Sequence, residues 1–168
     1  MAELPVMIRP LSGYGLATMM ARKGVAAAPI AAALGLEAQS GPTVTTAGSR
    51  RLIGTGPGVW LLTEETAGPG WAAEIAQRLH GLASVTDQTS GYALFEVAGP
   101  SARALLQSCL AIDMHPSAFV QGRAATSVIE HIGVILWCVG PETFHLATFR
   151  SYATDFHRWL TEAAEQTA

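Results

Sequence analysis

The same order of elements runs twice along this chain: strand, helix, strands, helix. That repetition limits the fold more than any single motif does. Tyr14 to Ala21 reads as a strand that ends at Lys23-Gly24. Val25 to Leu34 reads as an Ala-rich helix stopped by Gly35, with its regular part starting near Pro29, because proline suits a first turn. Glu37 to Ser49 is polar and rich in Gly, Pro and Thr, and reads as a loop. Arg51–Thr55 and Val59–Thr63 read as a hairpin turning through Gly54-Thr55-Gly56-Pro57-Gly58. Trp71 to Leu79 places Trp71, Ile75 and Leu79 on one helical face and closes at Gly81.

The second half follows suit. A short strand near Val85 leads through a Gly turn to a strand from Tyr92 to Val97. Pro100 opens a helix with Ala102, Leu105, Leu106, Cys109 and Leu110 on a single stripe. Strands follow over Arg123–Glu130, Val134–Val139 and Phe144–Phe149. Ser151 is expected to cap a last helix whose apolar face is Tyr152, Phe156, Trp159, Leu160 and Ala163. The expected fold is α+β: a single domain over 1–168, with pseudo-repeated halves at about 14–81 and 83–165, packing their sheets into one core.

Chemistry-bearing residues are sparse. The five histidines lack His-x-x-x-His spacing, and Cys109 and Cys138 lack Cys-x-x-Cys spacing, so no metal site is expected. His80 reads as a structural residue in a last helical turn, where a cation is favourable, His145 as a strand residue facing one side, and His157 as part of a polar helix face. Cys109 and Cys138 read as buried structural thiols, since nothing local is electropositive. A Cys109–His115 nucleophile–base pair is the catalytic alternative. In Asp113-Met114-His115-Pro116, Asp113 either orients His115 for acid–base work or makes a local turn bond, and the turn is the simpler reading. Gly54–Gly58 resembles a phosphate loop only superficially, because Pro57 removes a donor and no Lys-Ser or Lys-Thr follows.

Charge narrows the partners. Formal net charge is −3 with no basic cluster, which argues against nucleic acid. The longest uncharged apolar stretch, between Lys23 and Glu37, is too short for a membrane span. Met1-Ala2-Glu3-Leu4-Pro5 lacks a basic leader region, so a reducing cytoplasm is expected. Charged residues make up 14% of the chain, against roughly 25% in ordinary domains. From Gln88 to Pro141 there are five: Glu96, Arg103, Asp113, Arg123 and Glu130. Either Ala and Gly dilute the charge, or a partner covers the surface. On the second reading, Met114, Phe119 and Val120, after the Asp113–Pro116 turn, are expected to contribute to an exposed apolar patch. The isolated chain could hide such a patch by self-association.

Four segments carry a resemblance. They are Ala21-Arg22-Lys23-Gly24; Ile53 through Gly54-Thr55-Gly56-Pro57-Gly58 to Leu61; the run from Val85 to Pro116; and Gly140-Pro141-Glu142-Thr143-Phe144-His145-Leu146 with Arg150-Ser151-Tyr152-Ala153 and Trp159-Leu160. In order and spacing, over about residues 14–163, they resemble the gamma subunit of heterotetrameric sarcosine oxidase. One departure is Leu110, where many relatives have Cys-Pro. By fold, the resemblance implies kinship with the folate-binding domain of glycine-cleavage aminomethyltransferases. It further implies a non-catalytic subunit of a flavoenzyme that oxidatively demethylates sarcosine to glycine, with alpha, beta and delta subunits as partners. No catalytic, cofactor-binding or metal residue is then expected in this chain. FAD, FMN, NAD, tetrahydrofolate and zinc would lie in the other subunits. Glu130, in Glu130-His131-Ile132-Gly133, is at the place similar to the folate family's pterin-binding acid. The alternative is a stand-alone folate-binding or aminomethyltransferase-like protein, and a third reading is a ferredoxin-like regulatory module.

Overall fold

A computed structural model of the chain describes residues 6–39 and 41–167. Met1 to Pro5, used above to argue against a leader, lie outside the described residues. The chain divides into two compact units. Gly13–Gly91 form one; the segment up to Ser12 and the chain from Tyr92 onward form the other.

The first unit is a five-stranded antiparallel sheet in the order β3-β4-β5-β2-β6, carrying two helices. Its elements are β2 (Gly15–Ala21), α1 (Ala27–Ala33), β3 (Val44–Ala47), β4 (Arg50–Gly56), β5 (Val59–Glu64), α2 (Trp71–Arg78) and β6 (Ala83–Asp87). The hairpin expected through Gly54–Gly58 is β4–β5, with a register shift between Gly54 and Gly56. Helix α2 buries the expected stripe of Trp71, Ile75 and Leu79. Glu74 in its first turn and Arg78 in its last match the helix dipole. Gly15 has a steric reason: a Cβ there would lie 2.7 Å from the Trp71 ring and 2.6 Å from Ala67 Cβ. Only bare backbone lets Trp71 lie against the start of β2.

A half-buried ion pair ties the two helices to the sheet. Arg50 Nη1 donates to Leu34 O, at the end of α1, at 2.9 Å. Its Nη2 donates to Glu64 Oε2 at 2.6 Å. The same Glu64 oxygen accepts from Trp71 Nε1 at 2.7 Å. One Arg–Glu pair thus satisfies a helix-end carbonyl and a buried indole together.

The second unit repeats the design with the order β1-β7-β10-β9-β8. Its elements are β1 (Met7–Leu11), β7 (Tyr92–Ala98), α3 (Ala102–Cys109), β8 (Ala124–Ile129), β9 (Ile132–Gly140), β10 (Thr143–Phe149), a 3-10 turn (Arg150–Tyr152) and α4 (Ala153–Thr167). Leu105 and Leu106 of α3 and Phe156 and Leu160 of α4 are fully buried against Val97, Leu136, Phe144 and Leu146 of the sheet.

Four expectations need correction. The polar stretch 37–49 contains β3, because the run Thr43-Val44-Thr45-Thr46 is β-branched and pairs with β4. Helix α1 starts two residues before Pro29, which still falls in the first turn, where a missing N–H costs nothing. Ser151 sits in the 3-10 turn and does not cap α4. Residues 83–87 belong to the first sheet, pairing with β2. Each sheet has its own apolar cluster.

Candidate functional site

Of the three residues expected on an exposed patch, two are core. Met114 is fully buried and Phe119 is 5% exposed; Val120 alone is exposed. The cause is Arg103 on α3. Its Nη1 donates to Met114 O and Phe119 O, and its Nη2 donates to Pro141 O at 3.1 Å. The guanidinium lies 4.9 Å from the centroid of the Phe144 ring, which also meets Phe119 at 6.4 Å. Gln107 adds a second tie, its Oε1 accepting from Met114 N–H at 2.9 Å. The irregular segment after α3 is therefore drawn inward, and its large side chains complete the core.

The candidate nucleophile has local partners. Cys109 Sγ donates to Leu105 O at 3.3 Å within its own helix. Burial pushes its thiol up to about 11, so it is protonated at neutral pH. Cys138 is buried and also raised, by burial first, with Arg103 acting against that. Asp113 Oδ1 accepts from the backbone N–H of His115 at 2.8 Å, which is the turn bond. The His115 ring pairs through Nδ1 with Ser117 Oγ at 2.7 Å. Among the described residues, no three of His, Cys, Asp or Glu gather as a metal site.

His145 and Glu96 form a histidine–carboxylate pair that sequence reading missed. Nε2 of His145 lies 3.2 Å from Glu96 Oε2, while Arg9 Nε donates to Glu96 Oε1 at 2.8 Å. The three are cross-strand neighbours on β1, β7 and β10. Burial pushes the Glu96 carboxyl upward, but hydrogen bonds from Arg9 and His145 outweigh it and leave the group below its usual range. Trp137 lies edge-on to His145 at 5.6 Å, and both are buried. Glu96 thus links a buried histidine to an exposed arginine across three strands; β1, which supplies Arg9, has no apolar alternation to announce it.

Two cavities bear on ligand binding. The Gly54–Gly58 turn borders a cleft of about 540 Å³ with Val25, Pro42 and Trp60. None of its described lining residues is ionisable, and Pro57 in the turn has no backbone N–H to donate. Glu130, at the place of the pterin acid, is exposed in the turn between β8 and β9 with φ 53°. It borders a smaller cavity of about 200 Å³ together with Asp155, Arg158, Trp159 and Glu162.

What remains is exposed apolar surface. Val128, Phe149 and Tyr152 are about half exposed in the second unit, along with Val120 and Met7; Met20 is the counterpart in the first. Phe149 stacks on Tyr92, ring centroids 5.0 Å apart. Among the described residues, no helix is long and apolar enough to cross a membrane.

Residues 19–166 match the family described as "Sarcosine oxidase, gamma subunit family". The chain is 27% identical over 155 residues to the sarcosine oxidase subunit gamma of an Arthrobacter species, covering 92% of this chain and 76% of the relative. It is 27% identical over 146 residues to that of Corynebacterium sp. strain P-1, covering 86% and 71%. Among solved structures, it is similar to a chain of the heterotetrameric sarcosine oxidase from Corynebacterium sp. U-96 in complex with pyrrole 2-carboxylate. The TM-score is 0.88 at 24% identity, covering 99% of this chain and 87% of that one. The glycine cleavage system aminomethyltransferase T from Bartonella henselae shares the fold, with a TM-score of 0.64 at 16% identity over 92% of this chain and 45% of that one.

Proposed function

Because this chain belongs to the sarcosine oxidase gamma subunit family, we propose that it serves as the gamma subunit of a heterotetrameric flavoenzyme that oxidatively demethylates sarcosine to glycine. The carrying observation is the family match along residues 19–166. Its partners are alpha, beta and delta subunits, and the flavins, nicotinamide, tetrahydrofolate and zinc reside in them. The chain's own role is structural. The protonated Cys109 supports that role, because a buried neutral thiol is not poised to attack. Two free thiols support a cytoplasmic location.

The experiment is an absorbance scan of the purified chain, followed by addition of sarcosine. The expected spectrum has only aromatic absorbance and does not change. A stoichiometric flavin band that bleaches with sarcosine overturns the structural role. Tight binding of tetrahydrofolate by the isolated chain supports the stand-alone folate-binding reading instead.

A further inference from the structure

Three adjacent strands of the second sheet, β8, β9 and β10, contain no Asp, Glu, Lys or Arg. Their register brings the exposed part of one face into a single line. Tyr92 on β7 is paired with Phe149 on β10. On β9, Gly133 is paired with Val128 on β8. Pairing of Ala147 with Ile135 puts Phe149 and Gly133 one step further along the same face. The line Tyr92, Phe149, Gly133, Val128 therefore crosses four neighbouring strands, a span of about 14 Å at the usual strand spacing.

The line is open to solvent. Phe149 is 49% exposed and Val128 is 53% exposed. Nothing lies within 4 Å of where a Cβ on Gly133 would stand, so the floor between them is bare. Further along the same face, exposure ends: Leu94 and Ala147 are buried, then His145 and Trp137. The strip also has a fixed frame. Arg150 Nη2 donates to Tyr92 O at 2.7 Å, and Thr148 Oγ1 donates to Gly133 O at 3.0 Å.

We propose that this strip is the centre of the contact through which the chain joins a larger subunit of its complex, with an uncharged, apolar surface of that subunit as the occupant. The inference rests on the subunit reading above and adds the surface. Charge matching selects the occupant: the four positions of the strip carry no charge, and the neighbouring Arg150 guanidinium is tied to Tyr92 O. That suits an apolar protein face better than a phosphate backbone or anionic lipid, and permanent interfaces resemble a core cut in half. Such an interface needs roughly 800 Å² per partner. The strip supplies the apolar centre.

The test uses the assembled complex. The tagged chain is expressed with its native partner subunits and recovered as wild type, Phe149→Asp, Gly133→Lys, Val120→Asp and Met20→Asp. Circular dichroism and thermal midpoints check each fold. Gly133→Lys guards against a folding artefact at Phe149, since its side chain projects into open space. The expected result is at least a tenfold drop in co-purified subunits for Phe149→Asp and Gly133→Lys with folds intact, and no drop for Val120→Asp or Met20→Asp. Wild-type recovery by both strip variants overturns the inference and leaves the subunit reading standing. So does a strip variant that loses only self-association of the isolated chain. Wild-type chain recovered without other subunits overturns the subunit reading, and this inference with it.

Discussion

Phe119 shows how a single side chain changes role between sequence and structure. It follows a Pro-containing turn in a segment without periodicity, which is how a surface loop reads. The information that reverses this sits 16 residues earlier, in Arg103, whose guanidinium collects the carbonyls of Met114 and Phe119. Nothing in the local pattern signals that tie, because a helical arginine is normally a solvated one. The consequence is measurable. Phe119→Ala should cost about 3–5 kcal/mol of unfolding free energy, the range for emptying an aromatic core site. Chemical denaturation of the isolated chain checks this. A cost near zero would return Phe119 to the surface.

At the scale of elements, regular periodicity was legible and irregular structure was not. Strands and helices with clear apolar stripes, such as α2 with Trp71, Ile75 and Leu79, fall where their pattern puts them. Strand β1 escapes because Met7–Leu11 has no alternation and contains Pro10. It is tolerated at the sheet edge, where it pairs only with β7. Strand β3 escapes because glycines and prolines surround four residues. The segment from 110 to 123 has no regular structure and depends on the Arg103 clamp. Arg103→Ala should lower stability by about 2–3 kcal/mol, the worth of hydrogen bonds to a charged donor. Amide exchange should speed up across 111–122, with little change in β7 or β10. Exchange measured by mass spectrometry tests the localisation, and uniform loosening of the second unit would contradict it.

At the scale of the whole molecule, each unit carries a carboxylate lowered by its partners. Burial pushes Glu64 upward, but hydrogen bonds from Trp71, Arg50 and Ser49 outweigh it and hold the group below its usual range. Glu96 is held down in the second unit by Arg9 and His145. A carboxylate lowered by folding adds stability above its unfolded pKa of about 4.3, and that stability is lost as pH falls through the lower folded value. Melting temperature should therefore drop below about pH 4.3. Glu64→Gln should flatten that drop, because the glutamine does not titrate. An unchanged acid limb in Glu64→Gln and in Glu96→Gln would contradict the assignment. The two-unit plan itself was legible as a repeated order of elements, and the family was legible from ordered short motifs. The proposed contact surface was not, since charge depletion fits either dilution by Ala and Gly or a covered face, and does not say which face. Cross-strand register was needed to set Phe149 beside Gly133.

The central claim is that this chain works as part of a larger enzyme. The most direct measurement is purification of the tagged chain from its native cell under mild conditions, with the attached chains identified by mass spectrometry and the flavin quantified. The account predicts three other chains in equal proportion, with flavin and sarcosine oxidation travelling with them. Recovery of the chain alone, or only with copies of itself, while sarcosine oxidation elutes elsewhere, would contradict it.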